Sequence, residues 1–237
     1  MRNSLLASVL SVIIIAVLSL LLYISFEIYA YSKTLSEIIT LIESLVIIVI
    51  GLALINKRLK EAVSPKNLAL SITFGVLLYA AQWAIAYVPA FVWYTPPFNY
   101  FATALFVYLP EGIIVSVLLV LTESAYGSLF MMIIPFYIIS MISFFNPVWT
   151  PFYFSMASLA EIVIFAGKRE YMTAALASIV FSATDAFLAS QFMLFNFGVY
   201  QPPVIQLSSV FIDIIFSIFG AFLGLAIGKK AKTAWRP

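Results

Sequence analysis

The chain is written in long apolar runs separated by short polar or proline-rich joints. Eight runs approach the ~20 residues that a helix needs to cross a ~30 Å hydrocarbon layer. They cover residues 4–27, 36–55, 67–90, 98–121, 126–145, 152–167, 171–194 and 203–228, the sixth being short. The first run, Leu5 to Tyr23, is too long for the apolar core of a signal peptide and has no small-residue cleavage site, so it is predicted as a retained span. The expected fold is an all-α polytopic integral membrane bundle of about eight transmembrane helices. Pro65 is predicted to open the third helix. It divides the chain into a two-helix N-terminal extension, 1–65, and a six-helix membrane domain, 66–237.

The cations orient this map. Of the 12 Lys and Arg, only Lys33 falls on one side. The others are Arg2, the Lys57/Arg58/Lys60/Lys66 joint, Lys168/Arg169, and the tail Lys229/Lys230/Lys232/Arg236. Cytoplasmic loops retain Lys and Arg, so both termini are expected inside, in a multi-pass protein of the cell (plasma) membrane. The joint Thr122–Gly127 carries Glu123 and no cation, and parity alone places it inside.

Composition narrows the chemistry. The chain is 64% hydrophobic and 9% charged, with a mean hydropathy of +1.12, so its surface must face lipid. A net charge of +2 argues against nucleic acid. The chain contains neither Cys nor His. That removes disulfides, thiolate and imidazole metal ligation, and the Ser-His and Cys-His nucleophile pairs. No Lys lies within a span to act as a base, and no Gly-rich phosphate loop is present. No enzyme activity, cofactor or metal is expected.

The candidate chemistry lies in two places. The outward joints Phe91–Tyr100, Phe144–Phe154 and Phe195–Pro203 are stiffened by proline and lined with aromatics, including Trp93, Tyr94, Trp149 and Tyr200. Such rings form interfacial belts in many membrane proteins, but here they concentrate on one side. Four carboxyls, Glu111, Glu161, Asp185 and Asp213, fall inside spans, where a charge is costly and marks a functional hypothesis. Glu161, Asp185 and Asp213 are each nine or ten residues from the outer boundary, so a shared depth of ~13–15 Å is expected. They are protonated ties between helices, a group sharing protons, or seats for a cationic or donor-bearing ligand. Gln206, Ser209, Asp213 and Ser217 share one helical face, which continues as Gly220, Gly224 and Gly228. Such small-residue stripes, like Ala80 with Ala84, pack helices within one chain or dock another subunit.

The six-helix part resembles the substrate-binding S component of energy-coupling-factor vitamin transporters, of the thiamine-precursor type. The resemblance rests on six spans with both ends inside, the Ala80–Ala86 stripe, the Glu-containing segment Ala157–Glu170 with its basic turn, and the glycine helix with its basic tail. Two N-terminal helices and the outer loops depart from that pattern. The resemblance implies high-affinity ligand binding near the outer surface, a transmembrane coupling subunit and two ATPase subunits. The expected ligand is a pyrimidine- or thiamine-like heterocycle. It would stack on Trp93, Tyr94, Trp149 and Tyr200 and be oriented by Glu161, Asp185, Asp213 and Gln206. Ala80, Ala84, Gly220, Gly224 and Gly228 are the expected docking surface, beside membrane lipids. Two other classes remain open: an accessory subunit of a larger complex, such as a respiratory assembly, and a stand-alone proton-coupled transporter.

Overall fold

Hydrocarbon offers no partner to a backbone N–H or C=O, so an apolar chain in lipid satisfies its own backbone as helix. The computed structural model describes residues 2–55, 64–83, 98–143, 150–167, 170–198 and 200–234, and among them the regular structure is helix without strand. The helices are α1 (Arg2–Tyr29), α2 (Lys33–Ile55), α3 (Pro65–Gln82), α4 (Phe98–Leu121), α5 (Ser128–Ser143), α6 (Thr150–Gly167), α7 (Tyr171–Phe197) and α8 (Pro203–Ala234). Six are long and apolar enough to cross a membrane: α1, α2, α4, α6, α7 and α8. Helix α5 is apolar but shorter. The end of the expected span 67–90 lies outside the described residues, as do 91–97, 144–149 and 199 of the joints expected to face outward.

Local chemistry sets several boundaries. Ser64 caps α3, its Oγ accepting from the Asn67 N–H at 3.3 Å, and Pro65 occupies the first turn where a missing N–H costs nothing. Gly198 closes α7 at φ +64°, a left-handed conformation that glycine adopts without strain. Within α4, the stretch Ala104–Tyr108 widens to a π-helix, and the Leu109 N–H reaches back to the Ala104 carbonyl. Pro110 follows directly. Its missing N–H removes one rung of the ladder, and the wider turn lies next to that gap.

Packing makes α7 the central post: 83% of its most apolar window is buried, against 22% for α1. Phe181, Phe187 and Phe192 of α7 are fully covered. Small residues set the closest approaches. A Cβ at Gly220, Gly224 or Gly228 of α8 would strike Leu109, Ile113 or Val120 of α4 respectively, and Gly112 of α4 meets the Ser217 carbonyl in return. Both helices therefore run in the same direction with their backbones touching. Gly75 seats α3 against Met132 and Pro135 of α5, and Gly51 seats α2 against Ser158 of α6.

The N-terminal helices pack directly onto α6 and α7. Their hairpin is tied by Ser25, Ser36 and Thr40: the Ser25 and Ser36 hydroxyls are 2.9 Å apart, and Ser36 Oγ donates to the Ser25 carbonyl at 2.7 Å. The two ends of the bundle differ. One carries Lys232 paired with Glu123 at 2.8 Å and Lys229 over the Tyr171 ring at 4.7 Å. The other carries the Tyr29–Tyr200 stack, the Tyr100–Gln201 hydrogen bond, and Lys33 beside Glu37.

Candidate functional site

Two carboxyls meet inside the bundle, Glu111 of α4 and Asp185 of α7, and a third, Asp213 of α8, lies near Asp185. Glu111 is fully buried, and Asp185 and Asp213 are each 5% exposed. The glycine contacts between α4 and α8 bring Glu111 and Asp213 toward the same interior, and Ser178 ties α7 to α4 by donating to the Gly112 carbonyl at 2.8 Å. Glu111 Oε2 accepts from Gln82 Nε2 at 3.1 Å, and the same carboxyl is in hydrogen-bond contact with Asp185. Asp213 lies within the electrostatic reach of Asp185. Tyr108, buried in the π-helical turn, feels all three acids.

The cluster is short of donors. Glu111 Oε1 and Asp213 Oδ1 are buried and receive no hydrogen bond. The hydroxyl of Ser217, one turn from Asp213, is equally unpartnered, while that of Ser182, one turn from Asp185, faces the Glu111 carboxyl. Among the described residues, the described ion pairs of Lys33 and Lys232 lie at the bundle ends, and the charges acting on each of these carboxyls are those of its acidic neighbours. A buried acceptor without a donor costs about 1–3 kcal/mol. The arrangement therefore favours anything that brings hydrogen-bond donors or positive charge. No three acids among the described residues are grouped closely enough to hold a metal ion.

Glu161 departs from the expected set. Its Oε2 accepts from the Gly127 N–H and its Oε1 from the Leu129 N–H, each at 2.9 Å. It caps the start of α5, satisfying N–H groups that have no partner within that helix. Counting inward from the outer ends suggested one common depth, but the helices are unequal. α6 has 18 residues and α7 has 27, and Gly167 ends the one close in sequence to where Tyr171 begins the other. From Gly167 Glu161 lies six residues back, and from Tyr171 Asp185 lies fourteen residues on, a difference of ~12 Å at the helical rise.

The other expected positions separate as well. Gly220, Gly224 and Gly228 are covered by α4 and are not open to a second subunit. Ala80 lies on the exposed side of α3. Tyr200 stacks on Tyr29 at 6.0 Å and Phe26 at 6.2 Å, so part of its ring packs onto the N-terminal helix. Gln206 donates to Ser190 Oγ at 2.7 Å, two helical turns from Asp213. Trp93, Tyr94, Trp149 and Ala84 lie outside the described residues.

Two groups were missed among the expected site residues. Gln82 was legible only as a polar residue within the expected span 67–90, and its role depends on Glu111 being opposite. Glu43 of α2 is 9% exposed and accepts from Gln191 Nε2 at 3.3 Å. It sits beside an aliphatic groove of about 400 Å³ between α1 and α2. One acid in so apolar a helix hardly changes its hydropathy, although its midpoint position was a signal.

Family models, curated proteins and solved structures contain no match to this chain.

Proposed function

We propose that this multi-pass membrane protein is the ligand-binding subunit of an importer in the plasma membrane, of the vitamin-transporter type its sequence resembles. Its ligand is a planar heterocycle that carries an amino group or a positive charge, as thiamine and its pyrimidine precursor do. The observation that carries this reading is the burial of Glu111, Asp185 and Asp213 from three helices, with unpartnered acceptors and no cation among their described neighbours. A stable membrane protein gains nothing from such acceptors unless something supplies donors. In the proposed topology all eight helices cross, both termini are cytoplasmic, and the aromatic joints with Trp93, Tyr94 and Trp149 face outward. A transmembrane coupling subunit and ATPase subunits would supply the energy, with the exposed Ala80 side of α3 open for contact.

The orienting set in this reading is Glu111, Asp185 and Asp213 with Gln82, in place of Glu161 and Gln206. Tryptophan fluorescence titration tests it. Thiamine and its pyrimidine precursor are expected to quench emission at micromolar concentrations, and neutral analogues far less. Asp213→Asn keeps shape and removes charge. It is expected to weaken thiamine by ~10- to 100-fold, the scale of a hydrogen bond to a charged group, and to leave neutral analogues nearly unchanged. Absence of quenching by every amino-bearing or cationic probe rejects the ligand class.

A further inference from the structure

Two ionised carboxylates in contact offer only acceptors; one proton makes a hydrogen bond between them. Glu111 and Asp185 are in such contact across the α4–α7 boundary. Gln82 donates to Glu111 Oε2 at 3.1 Å and the Ser182 hydroxyl faces the same carboxyl, while Oε1 is buried without a close hydrogen bond. We propose that the Glu111–Asp185 pair holds one proton and releases it when a cationic ligand enters the cluster, so that binding exchanges a cation for a proton. This inference rests on the ligand-binding reading above and adds how that site is regulated.

The physical reason is charge balance. In a water-poor interior a change in net charge is far more costly than in water. Adding a cation to a proton-holding cluster changes its charge; trading the proton for a monovalent cation does not. Asp213 supplies the receiving acceptor, since its Oδ1 is buried without a partner on the neighbouring helix. The groups facing the pair are Gln82 from α3, Tyr108 from α4, Tyr153 from α6, Ser182 from α7 and Asp213 from α8, with Tyr79 beside Tyr153. Asp213 is the one carboxyl among them, and none is a cation. Among the described residues, the proton on the pair therefore has no local cation to replace it until a ligand arrives.

The test uses the full chain in lipid nanodiscs, with thiamine as the probe. Calorimetry in two buffers of different protonation enthalpy is expected to show about one proton released per thiamine bound, and affinity rising by up to ~10-fold per pH unit while the pair holds its proton. Asp185→Asn replaces the shared proton with an amide donor. It is expected to abolish proton release and flatten the pH dependence, and thermal unfolding checks that the fold is kept. A second arm needs no ligand. Dicyclohexylcarbodiimide attacks carboxyls that are protonated and shielded from water, and peptide mass spectrometry is expected to find the adduct on Glu111 or Asp185, fading as pH rises. Thiamine binding without proton release overturns the exchange and leaves the ligand-binding reading standing. Absence of adduct on both residues at every pH overturns the shared proton whatever thiamine does. Adduct on the pair with no binding of thiamine or its precursor rejects the exchange together with the ligand class.

Discussion

A carboxyl inside an apolar helix is visible in any sequence, but its partner is not. Glu161 and Asp185 look alike along the chain, and one caps α5 while the other joins Glu111. The difference predicts opposite behaviour on substitution. Glu161→Ala leaves the Gly127 and Leu129 N–H groups without their acceptor. At about 1–3 kcal/mol for each unsatisfied group, thermal unfolding in detergent is expected to drop markedly, while ligand affinity in the surviving fold stays within about twofold, well inside the ~10-fold that 1.4 kcal/mol represents. A large loss of affinity with unchanged stability would return Glu161 to the binding set. Asp213→Asn is expected to do the reverse, losing affinity for a cationic ligand without a loss of stability, because Oδ1 has no partner to lose.

At the scale of helices, the spacing of small residues was legible and its use was not. Gly220, Gly224 and Gly228 could serve a second subunit or the chain itself, and both uses need the same four-residue repeat. The fold spends the stripe on α4. A side chain at Gly224 would place Cβ 2.5 Å from the Ile113 carbonyl oxygen, a backbone atom with nowhere to go. Gly224→Val is therefore expected to cost about 1–3 kcal/mol or more, as overpacking does, and to separate Glu111 from Asp213, so that stability and ligand binding fall together. Ala80→Val on the exposed side of α3 is expected to leave both unchanged in the isolated protein. Equal stability of Gly224→Val and the parent chain, measured by thermal unfolding, would mean that α4 and α8 do not touch as described. Helix lengths misled in a similar way. Glu161 and Asp185 lie at similar counts from the outer helix ends Thr150 and Phe197, but α6 is nine residues shorter than α7, and no local pattern reports how far each helix end projects.

For the whole molecule, the charge asymmetry predicts orientation. Lys230 and Tyr200 are both exposed and lie beyond opposite ends of the α8 core. The absence of native Cys makes single-cysteine labelling direct. Lys230→Cys is expected to react with an impermeant maleimide only from the cytoplasmic side and Tyr200→Cys only from outside. Labelling of both from one side would reject a crossing by α8, whose 32 residues rise ~48 Å as helix. The N-terminal pair also changes meaning at this scale. The chain reads as two helices followed by six, yet α1 reaches the opposite end through Phe26, Tyr29 and Tyr200, and Glu43 of α2 reaches Gln191 of α7.

The sequence by itself determined that the chain is helical, where most helices lie, that they belong in a membrane, and which polar groups they carry inward. These follow from hydropathy and from hydrogen bonds within a few residues of each other, which are local properties. Only the tertiary structure decided that Glu111 meets Asp185, that α5 takes Glu161, that α4 fills the glycine stripe, and that Gln82 faces an acid 29 residues away. Those choices depend on how far each helix extends and which face it turns to its neighbours. Rotation and offset are set by contacts between segments remote in the chain, where a single turn of helix moves a side chain from one partner to another.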